Sequence, residues 1–386
     1  MKAVYDLIVV GGGVLGTFHA YHALKNGLTV ALIEKDSTPL GATVRNFGQV
    51  VPSGMNSKWQ QYGRESLRIY KEVQSQFDIS VRQEGSIYMA SNEEEVQLLE
   101  ELYLINRKNK YPSRLLTKAQ CLARNPGLLD SYVKGGLLFP EEITVEPRVM
   151  INKLHAYLTA SGLHLYNNTT VLECNPLSNG IAVNTANESL SASKVIICNG
   201  SEFKTLYPSH FKESDLVVSK LQMMQTKPQK NFHLPGSILT GLSIRRYEAF
   251  TECSSYAAIK SKEDNNTLDK KWGIHILFKQ AIDGSIILGD SHEYAYARNI
   301  DTLDMTLNMD IDNYIIAEAK KIFDLPTYEI QNRWSGLYSQ SKNADIFQTT
   351  IDRNIHIVTG IGGKGMTASA GFAKKNIETI FNFNHE

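Results

Sequence analysis

Apolar positions along this chain keep two different rhythms. Short apolar runs such as Leu7–Val10, Leu28–Ile33, Lys194–Gly200 and Asn354–Thr359 have the length of strands and are bounded by glycine or polar turns. Longer stretches repeat their apolar residues every three to four positions, and these read as helices: Thr17–Lys25, Ser57–Phe77, Glu93–Lys110, Arg148–Ser161, Asp310–Phe323 and Thr367–Phe381. In Ser57–Phe77 the residues Tyr62, Leu67, Tyr70 and Val73 share one side. Glu93–Lys110 has acids in its first turn and bases in its last, as the helix dipole prefers. Thr117–Ala123 is a shorter helix that stops near Pro126–Gly127. Gln83–Ala90, Leu163–Tyr166, Val171–Cys174, Gly180–Thr185, Leu216–Thr226, Ile274–Phe278, Ser285–Gly289 and Gln331–Ser339 read as further strands, with Met223 and Met224 as core. The polar stretch Ser261–Lys271 reads as a solvated loop. The order of elements predicts one domain built from both ends of the chain and a second from its middle. No internal repeat or low-complexity segment interrupts it.

The first strand, helix and second strand are joined in a way that carries chemistry. Gly11, Gly13 and Gly16 fall in the G-x-G-x-x-G pattern between Leu7–Val10 and the helix, and Glu34 stands at the tip of the next strand. Gly11 permits the tight turn, Gly13 lets a pyrophosphate approach the backbone, and Gly16 lets helix and strand pack closely. The helix N-terminus offers N–H groups and a positive dipole end to phosphates, and Glu34 can accept from ribose hydroxyls. The pattern alone is weak; strand, helix and acid in the right places make it a dinucleotide fingerprint. The long loop Lys35–Met55, with Arg45, Asn46, Phe47, Gly48 and Gln49, has the length of a functional loop.

Composition narrows the partners. The 386 residues hold 40 basic and 40 acidic side chains, so no net field draws the chain to nucleic acid or an anionic membrane. Cys121, Cys174, Cys198 and Cys253 are scattered, which argues against a zinc site or a disulfide framework and for a reducing compartment. No apolar run reaches the ~18 residues of a membrane span. The start lacks a signal-peptide cleavage pattern, so a cytoplasmic protein is expected, as monomer or homodimer.

Gly360–Gly365 forms a second strand–glycine turn–helix junction, between Asn354–Thr359 and the last helix. Reduced flavin carries negative charge over N1 and the C2 oxygen. A helix N-terminus, backbone N–H groups and Lys364 would stabilise it there. This second turn favours a flavin over a nicotinamide. Through these and further residues the chain resembles the FAD-dependent D-amino acid oxidase superfamily in its glycine oxidase and sarcosine oxidase branch. The resemblance is carried by VVGGGVLG (9–16), LIEK (32–35), ATVRNFGQV (42–50), EGSIYMA (84–90), KVIICNG (194–200), RWSGLY (333–338) and VTGIGGKGMTASAG (358–371). VRNFGQVVPSG, SKLQMMQT, GLSIRRYE, GIHILFKQ and GDSHEY look like a subgroup proposed to act in aminophosphonate breakdown.

The resemblance implies an α/β fold: a Rossmann-like FAD-binding domain (1–80, 145–215 and 325–386) interleaved with a substrate domain (81–144 and 216–324) on a large mixed β-sheet. It implies FAD, held without a covalent bond because Gly336 stands where sarcosine oxidases carry a cysteine. Besides Gly11, Gly13, Gly16 and Glu34, the expected cofactor-binding residues are Val14, Leu15, Lys35, Arg45, Asn46, Gly48, Val171, Gly200, Trp334, Gly362, Gly363, Lys364, Gly365 and Met366. Glycine oxidase-like members end the RWSGLY run in an arginine that clamps the substrate carboxylate. Tyr338 stands here instead and points away from a plain α-amino acid.

The implied reaction oxidises a C–H beside an amine nitrogen to an imine, which water hydrolyses, with O2 or another acceptor reoxidising the flavin. The flavin carries the hard step, so no acid or base is assigned. The protein must grip the far end of the substrate. Arg45, Asn46, Arg245, Arg246, His275, His292 and Tyr338 are the candidates, with Lys279 among the nearby cations. Arginine's planar fork matches carboxylate or phosphonate oxygens, and several cations suit a phosphonate dianion. Strand alternation would send Arg245 and Arg246 to opposite faces. His275 alternates with Ile274, Ile276 and Phe278, a pattern that a core histidine also shows. A flavin dehydrogenase serving a quinone or carrier, and a non-catalytic nucleotide-binding redox sensor, are the competing readings.

Overall fold

The computed structural model describes residues 4–383. Among these residues the strands gather into two large sheets and one short two-stranded pair. The first sheet has eight strands. Its central path runs Phe347–Ile351, Ile355–Thr359, Ser189–Ile197, Val4–Val10, Val30–Ile33 and His164–Tyr166. Neighbours are parallel from Ile355–Thr359 to His164–Tyr166, and Phe347–Ile351 closes the edge antiparallel. The hairpin Val171–Leu177 and Gly180–Thr185 extends from Ser189–Ile197. A parallel sheet is covered on both faces, which is why its strands are apolar on consecutive residues. Leu7 and Val9 pack into a core with the helices Val14–Lys25, Ser57–Gln76, Pro147–Ala160 and Gly365–Phe381, and Ile8 packs into the core on the other face.

The second sheet has nine strands and is mixed. Ser237–Leu239 runs parallel to Ser86–Ala90, and the remaining pairs are antiparallel. Leu216–Thr226 is its spine, pairing with Ile286–Gly289, Glu293–Tyr296 and Ile330–Ser341. Ile330–Ser341 was expected with the cofactor-binding part. It pairs along its length with Leu216–Thr226, and its Gln340 meets Ile361 of the second glycine turn in an isolated bridge. Met223 and Met224 face opposite cores of this sheet, both fully buried.

Several expected boundaries move by a few residues. The first helix begins at Val14, directly on the glycine turn, and the last begins at Gly365. Two local readings change in kind. Ser261–Lys271 is not only a solvated loop: Leu268–Lys271 is a helical turn, and Glu263 pairs with Arg245, Lys260 and Lys270. Arg245 and Arg246 do not lie on a strand. Gly241–Ile244 is a short helix capped by Arg245, so helical rotation rather than strand alternation separates the two side chains. All four cysteines are free and buried, and among the described residues no helix is long and apolar enough to cross a membrane.

Candidate active site

A cavity of about 1250 Å³ lies between the sheets and takes its wall from both. It exceeds the roughly 300–1,000 Å³ of a drug-sized ligand site, leaving room for an extended dinucleotide and a small second ligand. Gly11, Gly13, Val14, Leu15, Glu34, Lys35, Val171 and Gly200 form one part of the wall. Gly11 has φ +103, and a side chain there would collide with the carbonyl of Cys198. Gly16, one helical turn on, lies off the wall; any side chain on it would strike the Gly11 carbonyl, so its role is packing.

Side chains hold this turn rigid. The buried Glu34 carboxylate accepts from Gly12 N–H at 2.9 Å and from Asp36 N–H at 3.0 Å, leaving lone pairs on both oxygens for ribose hydroxyls. Val14 N–H donates to Thr43 Oγ1 at 2.9 Å. Thr17 Oγ1 donates to the Gly12 carbonyl at 2.9 Å, and His155 Nε2 lies 3.0 Å from the same oxygen.

Gly362, Gly363, Lys364, Gly365 and Met366 form a second part of the wall. A Cβ on Gly363 would meet nothing within 4 Å, so the backbone there is open to a close ligand. Lys364 is engaged: its ammonium lies 2.7 Å from Glu248 Oε1 and 5.4 Å from the centre of the Trp59 ring. Arg45 and Asn46 line the cavity and bond to backbone groups around it. Arg45 donates to the carbonyls of Leu40 at 2.8 Å and Ser335 at 3.0 Å. Asn46 donates to the carbonyls of Ala42 and Thr43 and accepts from Gly48 N–H at 2.7 Å.

The third part of the wall is built of side chains from the second sheet. The hairpin Leu277–Gln280 and Ile286–Gly289 continues by one backbone bond, His275 N–H to Asp290 C=O at 2.8 Å, which brings His275 and Asp290 together. His292 follows two residues on, its Nδ1 donating to Gly273 C=O at 2.9 Å. The His275 and His292 rings lie 5.3 Å apart, with Tyr247 5.5 Å from His275 and Tyr338 6.2 Å from His292. Arg246 reaches this group from its helical turn, donating to Gly273 C=O at 2.8 Å and Tyr294 Oη at 2.7 Å. Among the described residues it has no ion pair with a carboxylate, so part of its guanidinium remains for a ligand. Burial depresses His292 to about 3 and His275 well below its usual range, and pushes Asp290 up to about 7. Among the described residues, both ring nitrogens of His275 and Oδ1 of Asp290 have no hydrogen-bond partner.

Four expected residues do not line the cavity: Gly16, Gly48, Arg245 and Trp334. Gly48, at φ +74, turns the chain against Val145 and Pro147. Arg245 is held by Glu94, Glu95 and Glu263 at 3.1, 2.9 and 3.5 Å, away from the site. Trp334 donates from Nε1 to Arg45 C=O at 3.2 Å and packs into the core of the second sheet. Lys279 is buried against Glu146 at 2.8 Å. Sequence reasoning missed Asp290, Tyr247 and Tyr294. The available signal for Asp290 was an acid ending the apolar run Ile286–Gly289, two residues before His292.

The donor set fits a flavin dinucleotide: two glycine turns at helix starts, an acid oriented for ribose, and a backbone open at Gly363. Comparison with known proteins agrees. Residues 6–378 match the family described as FAD dependent oxidoreductase. The glycerol 3-phosphate dehydrogenase of Caloramator mitchellensis is 22% identical over 396 aligned positions, covering 98% of this chain and 74% of that protein. The glycine oxidase of Geobacillus kaustophilus is 26% identical over 212 residues, covering 51% of this chain and 55% of that protein. The crystal structure of glycine oxidase from Bacillus cereus superposes with TM-score 0.77 at 20% identity, over 99% of this chain and 96% of that one.

Proposed function

The chain belongs to the FAD-dependent oxidoreductase family, and from that premise we propose that it oxidises a small amine carrying an anionic group. An aminoethylphosphonate or its N-alkyl form is favoured, ahead of glycine or sarcosine. The product is an imine that water hydrolyses, and O2 is the electron acceptor. FAD, bound without a covalent link, supplies the capacity to take a hydride equivalent from the carbon beside the nitrogen.

The residues of this chain do the rest. Gly11–Leu15 and Glu34 would hold the nucleotide end of FAD, and the Gly362–Met366 turn would offer backbone N–H groups to it. Leu221, Leu277 and Tyr338 line the cavity and limit water there. The observation that carries the substrate assignment is Arg246: a guanidinium on the cavity wall, unbridged by any carboxylate among the described residues. Its remaining donors match the oxygens of a phosphonate or carboxylate. Tyr294, which accepts one Arg246 N–H, orients the fork. An anion fixed at one end leaves the amine end to be set by the rest of the wall, which is the positioning that such a reaction requires.

The test is anaerobic addition of 2-aminoethylphosphonate, N-methyl-2-aminoethylphosphonate, glycine, sarcosine and glycerol 3-phosphate to the flavin-loaded protein. Bleaching of the visible flavin band by the two phosphonates ahead of the amino acids is the expected result. Bleaching by glycerol 3-phosphate alone, or by none of the five, overturns the amine reading.

A further inference from the structure

Asp290, His275 and His292 form a cluster that the anionic end of a substrate does not complete. One ligand atom from each lies within 4.8 Å of the other two, and all three side chains are buried. His292 Nδ1 faces a carbonyl oxygen that can only accept, so Nδ1 carries the proton. Its Nε2 therefore presents a lone pair, 3.8 Å from Asp290 Oδ2. His275 is neutral in its buried position and has one ring nitrogen free to accept. Asp290 adds an unpartnered carboxylate oxygen. Three acceptors thus face one another across a small gap in the wall, and buried acceptors call for a donor.

Two kinds of donor, a metal ion and an ammonium, could answer these acceptors. A tetrahedral metal ion about 2.1 Å from its nitrogen and oxygen ligands sets them roughly 3.4 Å apart. The His292–Asp290 pair stands wider than that, at 3.8 Å. A primary ammonium donates three hydrogen bonds of about 2.9 Å in tetrahedral directions, which sets its acceptors roughly 4.7 Å apart. The one measured edge, 3.8 Å, falls between the two; what favours an ammonium is that all three residues line the cavity where the amine substrate would bind.

We propose that Asp290, His275 and His292 are the receptor for the ammonium group of a primary amine, and that Asp290 takes a proton from it before oxidation. The proposal rests on the amine reading above and specifies which end of the substrate meets which residues: the ammonium meets Asp290 and the anion meets Arg246. In the proton step R–NH3+ and the Asp290 carboxylate become R–NH2 and the Asp290 carboxylic acid. No electrons move, and the nitrogen gains the free lone pair that loss of hydride from the adjacent carbon requires. Asp290 is faced by Arg246, Tyr247, His275, His292 and Tyr338. Its raised proton affinity suits an acceptor that works near neutral pH.

The test uses flavin-loaded protein and two pairs of ligands that cannot be oxidised, each differing only in ammonium against methyl. They are 2-amino-2-methylpropylphosphonate with 2,2-dimethylpropylphosphonate, and 2-aminoisobutyrate with pivalate. Affinities are read from perturbation of the visible flavin spectrum. Wild-type protein is expected to prefer the amino member at least tenfold. Asp290→Asn should reduce the preference below twofold while the amine-free member binds as before. Should Asp290→Asn fail to retain flavin, His275→Asn carries the same comparison, with a threefold or greater loss of preference expected. Equal binding of both members by wild type overturns the receptor alone. So does a preference that survives the substitution, or an equimolar divalent metal in the purified protein that Asp290→Asn loses. Failure of all four ligands to bind overturns the receptor together with the amine reading.

Discussion

Glu142 and Asp290 are both buried carboxyls, and burial pushes both up to about 7. Their surroundings differ completely. Glu142, after the strand Gly135–Phe139, accepts from Ser53 N–H at 2.7 Å, Ser53 Oγ at 3.0 Å, Tyr111 Oη at 2.8 Å and the Ser86 hydroxyl. It ties the turn after Val51 to the second sheet. Asp290 keeps an oxygen with no partner and stands on a cavity wall. A carboxyl with its lone pairs answered is a joint, while one with a lone pair left over in a cavity is open to a ligand. Arg245 and Arg246 repeat the contrast: one is closed by three glutamates, the other has no carboxylate partner among the described residues.

Substitution should separate the joint from the receptor. Glu142→Ala strands four donors and opens a void, so urea unfolding should show a loss of about 3 kcal/mol. Asp290→Ala should stay within about 1 kcal/mol of wild type, because few native bonds end on that carboxyl. Equal losses would dissolve the distinction. Next in size is the arginine pair. Arg246→Met should raise KM for the anionic amine about 50-fold with stability little changed, as expected for a lost charge-assisted bond. Arg245→Met should leave KM unchanged and lower stability by about 1–2 kcal/mol, because the buried Glu95 loses its partner.

The pH dependence distinguishes the two carboxyls more finely. Each has a folded pKa above its unfolded value. The stability each contributes is therefore full below about pH 4 and is lost as pH rises through about 7. Glu142→Gln should flatten the fall in urea midpoint between pH 5 and 8, measured by circular dichroism. Affinity for the amino ligands should move the opposite way, rising about tenfold from pH 6 to pH 8 as Asp290 ionises, and should be flat in Asp290→Asn. The smallest effect is expected for Ser86→Ala. Three donors to Glu142 remain, so thermal melting should report a loss of only about 1 kcal/mol.

What could be read from the sequence follows the same line. The nucleotide turn was legible because backbone geometry demands it: Gly11 sits at positive φ against Cys198, and only glycine fits. The strand Leu216–Thr226 matched its expected bounds, and its polar Ser219, Lys220 and Gln222 are buried along with the apolar residues. Arg246, His275 and His292 were visible as residue types that can grip a substrate, and of the three only His275 has apolar neighbours on both sides. Asp290 was not, because its meaning comes from a hairpin that carries it beside His275, fifteen positions away in the chain. The sequence pattern also placed Arg245 and Arg246 on a strand, since it does not show that Gly241–Ile244 closes into a helical turn. Trp334 looked like a wall of the flavin but bonds to the Arg45 backbone, a contact set by how the loop rests on Ile330–Ser341.

The strand Val4–Val10 lies between two neighbours of very different age. Val30–Ile33 leaves the ribosome soon after it, but Ser189–Ile197, which pairs with its other edge, is made only after residues 11–188. At about 5–20 residues per second that interval is roughly 10–40 s. Throughout it the edge of Val4–Val10 that pairs with Ser189–Ile197 lacks its partner strand, and its backbone N–H and C=O groups are open to another chain. Yield in a cell is therefore set by how well that edge is shielded during translation. Lower growth temperature and holdase chaperones should raise recovery of this protein more than any change at its surface.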